Sequence, residues 1–160
     1  MNYAALYQAV IFISPAYIVN AALMLLWFIE GRYGLKDADP PLSARMFGDH
    51  RTVAGVALIV YAAWPIGTYF GSLLVGAVYS CGFLLGHVGS SYLKRRLHYK
   101  PGGRMLLVDQ LDFALGIQAA YIIAGYGVLP YLPEVLALTL VIHPAADYAA
   151  YRLRVKEVPW

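Results

Sequence analysis

The sequence predicts an all-α integral membrane protein that crosses the bilayer several times. Three features lead to this prediction: the composition, the length of the uncharged stretches and the position of the basic residues. The chain of 160 residues is 61% hydrophobic and only 13% charged, whereas a soluble domain carries about 25% charged residues. This composition excludes an ordinary soluble domain. The length is sufficient for a single domain, residues 1–160, with about five membrane spans.

The uncharged stretches give the approximate position of each span. Residues 1–29 contain no charged side chain, and residues 52–93 contain none except the titratable His87. The second stretch is about twice as long as the ~20 residues that one helix needs to cross a membrane. It is interrupted at Pro65 and by nearby glycines, and these residue types are strong helix breakers. We therefore expect two helices joined by a tight turn near residues 65–72.

The last two spans are separated by a second group of breaking residues, Gly125, Gly127, Pro130 and Pro133. Together with the charged loops, these interruptions divide the whole chain into segments of a length suited to the bilayer. The five predicted spans are 3–29, 52–67, 70–92, 109–127 and 131–151.

The basic residues set the orientation of the predicted spans. All twelve Lys and Arg residues follow the first, third or fifth span, and none lies at the N-terminus or in the other two turns. The positive-inside rule makes the basic side cytoplasmic, so we expect the N-terminus outside and the C-terminus in the cytoplasm. We assign the net charge of +3 to attraction for anionic lipid headgroups. We expect no nucleic acid partner, because these charges are next to the membrane.

Two carboxylates at the start of the fourth span are candidates for metal binding. Asp109 and Asp112 are three residues apart, so on a helix they share one face. Such a pair can hold Mg²⁺, whose other ligands are water and substrate phosphates. Alternatively, both acids simply favour the positive end of the helix. The apolar residues 113–116 follow at once, and an ionised carboxylate at that depth is costly unless it is paired or solvated. This cost favours a functional pair.

A cationic cluster follows the third span. Basic residues in this position are commonly membrane anchors. Beside the two aspartates they could also bind phosphate, because Arg offers planar bidentate contacts and Lys offers a point charge. The cluster consists of Lys94, Arg95, Arg96, Lys100 and Arg104.

Other polar residues interrupt the apolar chain. The segment 48–52, Gly-Asp-His-Arg-Thr, is either a helix start or part of a polar site. Asn20, within the first span, either bridges helices or faces a polar cavity. Ionisable residues inside a span are functional candidates by default, and His87, His143 and Asp147 belong to this group. A structural role is also open for His143, and Asp147 could pair with a basic residue of the last segment.

The order of these residues resembles a known signature. The signature resembles that of the CTP-dependent phosphatidate cytidylyltransferase superfamily. It consists of Ser91, Leu93-Lys94-Arg95, Lys100 and the Asp109–Asp112 pair. The short link through residues 101–103 is similar to the archaeal branch, the CDP-archaeol synthases. Segments 15–20, 48–52 and 156–160 extend the resemblance over nearly the whole chain.

The chain departs from the family pattern at a few positions. His87 stands where members commonly have Asp, so one expected carboxylate is absent. Asp147 stands where Asn is expected. His50 and Arg51 replace Gly and Lys, which keeps a positive charge but changes the shape.

The resemblance implies transfer of CMP from CTP to unsaturated digeranylgeranylglyceryl phosphate, giving CDP-archaeol and pyrophosphate. The lipid phosphate attacks CTP directly, so no protein nucleophile is required. The site would open to the cytoplasm from a multi-pass protein of the cell membrane. Two alternatives stay open: the same reaction on phosphatidate, giving CDP-diacylglycerol, and a non-enzymatic lipid-binding or pore-forming protein.

The resemblance also implies roles for individual residues. Asp109 and Asp112 would hold Mg²⁺ and, with Lys94, form the catalytic group. The remaining predicted site residues would contact substrate phosphates or line the polar cavity. They are Asn20, Asp49, Arg51, Thr52, Ser91, Arg95 and Lys100.

Overall fold

The computed structural model describes residues 3–49, 51–99, 103, 105–129 and 131–159. Over these residues the chain forms α-helices, one 3-10 turn at Lys36–Ala38 and no β-strand, which confirms the predicted all-α class. The helices are α1 (Tyr3–Tyr33), α2 (Ala44–Phe47), α3 (Val53–Tyr61), α4 (Ala63–Phe70), α5 (Leu73–Arg96), α6 (Val108–Ile123) and α7 (Leu132–Arg152).

Three segments of the described chain are long and apolar enough to cross a membrane. They are α1, the consecutive helices α3 and α4 taken together, and α5. Their outer surfaces carry large exposed apolar side chains, such as Ile18 at 69% and Val60 at 60% exposure. Apolar surface of this extent requires a nonaqueous neighbour, so the protein is a membrane protein.

The turn in the long uncharged stretch lies at Gly71 and Ser72, within the predicted range 65–72, although the helix before it is longer than the predicted span. Pro65 lacks the N–H that would bond to the Tyr61 carbonyl, and its ring crowds that group. The chain therefore breaks only briefly between α3 and α4, and α4 continues past the predicted end of the 52–67 span. The reversal occurs at Gly71, whose φ of 73° favours glycine, and the Ser72 side chain then caps α5.

Pro15 does not interrupt α1, which runs for 31 residues. Proline leaves the carbonyl four residues earlier without its helical donor. That carbonyl, of Ile11, accepts a hydrogen bond from the Ser14 hydroxyl at 3.0 Å and another from the Tyr69 hydroxyl at 3.2 Å. The second bond also ties α1 to α4.

Helices α5 and α6 pack with their backbones in contact. A Cβ atom on Gly82 would lie 2.5 Å from the Cα of Ile117, and one on Gly86 would overlap the carbonyl of Asp112. On the other helix, Gly116 leaves room for α5 in the same way. Small residues allow such close approach of membrane helices. This contact fixes residues 112–117 of α6 against residues 82–86 of α5.

The buried core lies directly beneath that contact. Tyr79, Phe83 and Phe113 are almost completely buried, and the rings of Phe83 and Phe113 stack with centroids 5.6 Å apart. The Tyr79 hydroxyl donates to the Phe12 carbonyl of α1 at 2.9 Å. The core therefore holds α1, α5 and α6 in a fixed relation.

Candidate active site

A cavity of about 600 Å³ is lined by α1, α3, α5, α6 and α7, by the segment before α3 and by the residues that follow α7. Its wall is apolar along α1 and α3, with Leu23, Met24, Trp27, Val56 and Ile59. Nine of the ten predicted site residues line it, and Lys100 lies outside the described residues. The nine are Asn20, Asp49, Arg51, Thr52, Ser91, Lys94, Arg95, Asp109 and Asp112.

Asp112 is the buried carboxylate of the cavity, with a side chain only 7% exposed. Its Oδ2 accepts a hydrogen bond from the Ser90 hydroxyl at 2.7 Å, and its Oδ1 accepts one from the Phe113 amide at 2.6 Å. The Nδ1 of His87 lies 3.8 Å from Oδ2. A buried charge requires hydrogen-bond partners, and α5 supplies one of them, the Ser90 hydroxyl, because of its close contact with α6.

Asp109 is the more exposed carboxylate and is paired with Lys94. The Lys94 ammonium lies 2.9 Å from Asp109 Oδ1, and it also reaches the Gly103 carbonyl at 3.5 Å. Asp109 Oδ2 accepts a hydrogen bond from the Met105 amide at 2.8 Å. These bonds join the end of α5 to the start of α6 at the cavity.

The chain enters α6 through a strained γ-turn. The Val108 amide donates to the Leu106 carbonyl at 2.8 Å, and the central Leu107 has φ 67° and ψ −48°. A positive φ is unfavourable for a residue with a Cβ atom. The strained residue, Leu107, lies two positions before Asp109. The hydrogen bond from the Met105 amide to the Asp109 carboxylate spans this turn and helps to stabilise it.

Arg51 crosses the cavity wall to α5. Its Nε donates to the Ser91 hydroxyl at 2.8 Å and to the His87 carbonyl at 3.1 Å, and its Nη1 lies 2.6 Å from His87 Nε2. Arginine is only a donor, so Nε2 accepts and the proton of neutral His87 lies on Nδ1. In this tautomer the Nδ1–H of His87 lies on the Asp112 side, but at 3.8 Å it is too far for a hydrogen bond, and it has no hydrogen-bond partner among the described residues.

The segment 48–52 serves both of the roles considered for it. The Thr52 side chain caps α3 by accepting from the Gly55 amide at 3.2 Å, while Asp49 and Arg51 line the cavity. His50 lies outside the described residues.

Asp39 is a second cap of α3 that sequence reasoning missed. Its carboxylate accepts from the Ala54 amide at 2.8 Å. Burial raises the pKa of Asp39, but hydrogen bonds from Thr52, from backbone amides and from Glu30 outweigh burial and lower it. The carboxylate therefore stays ionised, and it ties the loop after α1 to α3.

Arg95 differs from the other three bases that line the cavity. Arg51 is bonded to His87 and Ser91, Lys94 to Asp109, and Lys156 to Asp147. Within the described chain, by contrast, the buried Nε of Arg95 has no hydrogen-bond partner. Its guanidinium group lies beside Gly48, and it is available for a ligand.

Sequence reasoning missed Ser90, which supports Asp112 from outside the cavity lining, and it missed the place of Lys156 at the cavity. Ser90 bonds to Asp112, although only its neighbour was predicted, because the sequence does not show which α5 residue faces α6. The ion pair proposed for Asp147 does form, with Lys156 at 2.8 Å. His143 lies between Asp147, at 3.7 Å, and the Gln110 carbonyl, at 3.1 Å. The signal for Lys156 was its place in the segment 156–160, but its charge alone indicated an anchor.

The charges of the described lining do not favour the binding of a polyanion, such as a triphosphate, without an accompanying cation. Four bases face six acidic residues: Glu30, Asp49, Asp109, Asp112, Asp147 and Glu157. No group of three or more His, Cys, Asp or Glu side chains forms a ready metal site in the described part of the chain. Two carboxylates are nevertheless enough for Mg²⁺ when phosphates and water complete its shell. The donor set therefore fits a divalent ion that arrives with a phosphate ligand.

Comparison with known proteins identifies similar chains. A family model described as CarS-like CDP-archaeol synthase matches residues 52–160. A CDP-archaeol synthase of Pyrobaculum calidifontis is 33% identical, over 96% of this chain and 97% of the relative. Those of Aeropyrum pernix and Thermofilum pendens are 36% and 32% identical over 96% of this chain, covering 91% and 80% of the relatives. No solved structure matches.

Proposed function

The chain belongs to the CDP-archaeol synthase family, and from this premise we propose that it transfers CMP from CTP to digeranylgeranylglyceryl phosphate. An oxygen of the lipid phosphate bonds to the α-phosphorus of CTP. The bond from that phosphorus to the bridging oxygen breaks, and pyrophosphate leaves. One observation carries the proposal: predicted cations, carboxylates and an apolar wall meet at one cavity.

Asp109 and Asp112 are the residues that hold Mg²⁺ in this proposal. The excess of acids over bases in the described lining supports it, because a triphosphate would otherwise be repelled. Bound Mg²⁺ neutralises phosphate charge and stabilises the leaving pyrophosphate.

The contribution of each base to phosphate binding depends on which of its hydrogen-bond donors are not already used within the protein. An ammonium group has three donors, and Lys94 uses two of them, on Asp109 and Gly103. The third is left for a phosphate oxygen. Arg95 offers its guanidinium group for bidentate contact with the triphosphate. Arg51 acts mainly by position, because it holds Ser91 and His87 beside Asp112.

The apolar wall accommodates the lipid chains. Leu23, Met24 and Trp27 on α1 face the cavity, as do Val56 and Ile59 on α3. Isoprenoid chains would pass from the surrounding bilayer onto these residues without becoming exposed to water. The lipid phosphate would then meet the polar end, where Ser91 and Asn20 line the cavity.

The full topology is also part of the proposal: five spans, with the N-terminus outside and the active site facing the cytoplasm. Besides the three long apolar segments, α6 and α7 would cross the membrane. The 16 residues of α6 extend about 24 Å, and the following turn adds to that length. The distribution of the basic residues supports this orientation in the cell membrane.

Transfer of label from α-³²P-CTP into the organic phase tests the function. Purified protein in detergent with Mg²⁺ is offered digeranylgeranylglyceryl phosphate or phosphatidate, with Asp112→Asn in parallel. Label in the archaeal lipid with the wild type only supports the proposal. A preference for phosphatidate would assign the enzyme to CDP-diacylglycerol synthesis instead. No label with either lipid would contradict the enzymatic function.

A further inference from the structure

The segment after α7 forms part of the cavity wall. Arg154 has a left-handed φ of 59°, and the Val155 and Lys156 amides donate to the Ala150 carbonyl at 2.9 and 3.3 Å. This is the bonding pattern of a helix end at which the chain turns back. Lys156–Val158 consequently line the cavity, whereas Arg152 and Arg154 do not.

The Lys156 ammonium is held at the cavity by Asp147. The two groups are 2.8 Å apart, with side chains 24% and 17% exposed. Through His143, Asp147 is linked to the Gln110 carbonyl in the carboxylate-bearing turn of α6. Lys156 is therefore joined to the same end of the bundle as Asp109, although 47 positions separate the two residues in the chain.

On the basis of the function proposed above, we propose that Lys156 binds a phosphate group of one of the two substrates. A lysine ammonium has three donors, and within the described residues Lys156 gives only one of them, to Asp147. A partly exposed ion pair is weak, so the ammonium can turn towards a phosphate at little cost. Asp147 is then a positioning residue that keeps the flexible lysine side chain at the cavity wall before the substrate arrives.

A purely structural role makes a different prediction. If Lys156 serves only to neutralise Asp147, its removal is harmful because it leaves an unpaired, partly buried carboxylate. Removing that carboxylate as well would then restore function. If Lys156 binds phosphate, the double variant stays as impaired as the single one.

The test compares Lys156→Gln, Lys156→Arg, Asp147→Asn and the double variant Lys156→Gln/Asp147→Asn. Arg152→Gln is the matched control, because Arg152 is exposed on the last turn of α7 and bonds to the Tyr148 hydroxyl at 3.1 Å. Calorimetry measures CTP binding to detergent-purified protein with Mg²⁺ and no lipid, so turnover is not needed. The KM for digeranylgeranylglyceryl phosphate is measured separately, and thermal unfolding verifies that each variant is folded.

We expect Lys156→Gln to weaken one substrate about tenfold, a difference of about 1.4 kcal/mol. Lys156→Arg should retain most of the binding, and Arg152→Gln should stay within about twofold of wild type. A loss in CTP binding assigns Lys156 to the nucleotide phosphates, and a rise only in the lipid KM assigns it to the lipid phosphate.

Two results would overturn the inference: recovery in the double variant, or equal behaviour of Lys156→Gln and Arg152→Gln. If the wild type transfers CMP and either result is found, only the inference on Lys156 fails. If the wild type binds CTP but transfers nothing, the proposed function fails. A tenfold loss of CTP binding in Lys156→Gln would then still support the inference on Lys156, and unchanged CTP binding would overturn it.

Discussion

The contact between α5 and α6 makes Gly86→Ala a sharp test of how the site is held. A Cβ atom at this position would lie 2.6 Å from the carbonyl carbon of Asp112 and 3.0 Å from the Cα of Phe113, besides overlapping the Asp112 carbonyl oxygen. All of these atoms belong to the backbone, so no side chain can rotate away. The helices themselves must separate.

The size of the effect follows from these distances. Ordinary contact begins near 3.4 Å, so the Asp112 carbonyl carbon alone must move by about 0.8 Å. The same shift would lengthen the bond of 2.7 Å between Ser90 and Asp112 beyond hydrogen-bonding distance. Overpacking costs about 1–3 kcal/mol, and alanine returns about 1 kcal/mol of helix propensity. Stability should therefore fall by at most about 2 kcal/mol, whereas a misplacement near 1 Å can reduce turnover about a hundredfold.

Gly89→Ala is the matched control on the same helix. A Cβ atom there has no neighbour within 4 Å among the described residues, so this variant gains helix propensity without a clash. Transfer of CMP and thermal unfolding in detergent are measured for both variants. We expect Gly89→Ala to keep normal turnover and to be as stable as the wild type or more so. A folded Gly86→Ala protein with normal turnover would refute the close packing of α5 on α6 as the basis of the site.

Three further predictions concern the site and its entrance. Asp112→Asn should lower CMP transfer about a hundredfold or more without unfolding the protein, since a metal ligand contributes several kcal/mol to the transition state; near-normal transfer would exclude the metal assignment. Arg95→Gln should weaken CTP binding about tenfold in calorimetry, whereas Arg96→Gln, an exposed neighbour outside the cavity, should change it less than twofold; equal effects would favour an anchoring role. Leu107→Gly should raise the free energy of unfolding by a few tenths to about 1 kcal/mol, because relief of the positive φ exceeds the entropic cost of glycine. Thermal unfolding measures this change, and a loss of stability would contradict the strained turn.

The residues that could be predicted from the sequence are those determined by local properties. Composition and uncharged stretches predicted an all-α membrane protein, because a helix can cross the membrane when the residues along its own length are apolar. The spacing of Asp109 and Asp112 placed both on one turn of α6, since three residues nearly complete a helical turn. The resemblance to a family motif, which is also local, predicted ten site residues from Asn20 to Asp112, and the nine that are described line one cavity.

Contacts between distant segments could only be determined from the tertiary structure. Arg51 bonds to His87 across 36 positions, and this bond fixes the tautomer of a histidine that lies 3.8 Å from Asp112. Lys156 was counted among the basic residues next to the membrane, but it lies at the cavity, because a left-handed residue turns the chain back after α7. Hydropathy and spacing along the chain carry no information on which faces of two helices meet. The faces that meet are those on which the two backbones can approach closely. Here Gly86 provides such a place, because it leaves room for α6 against α5.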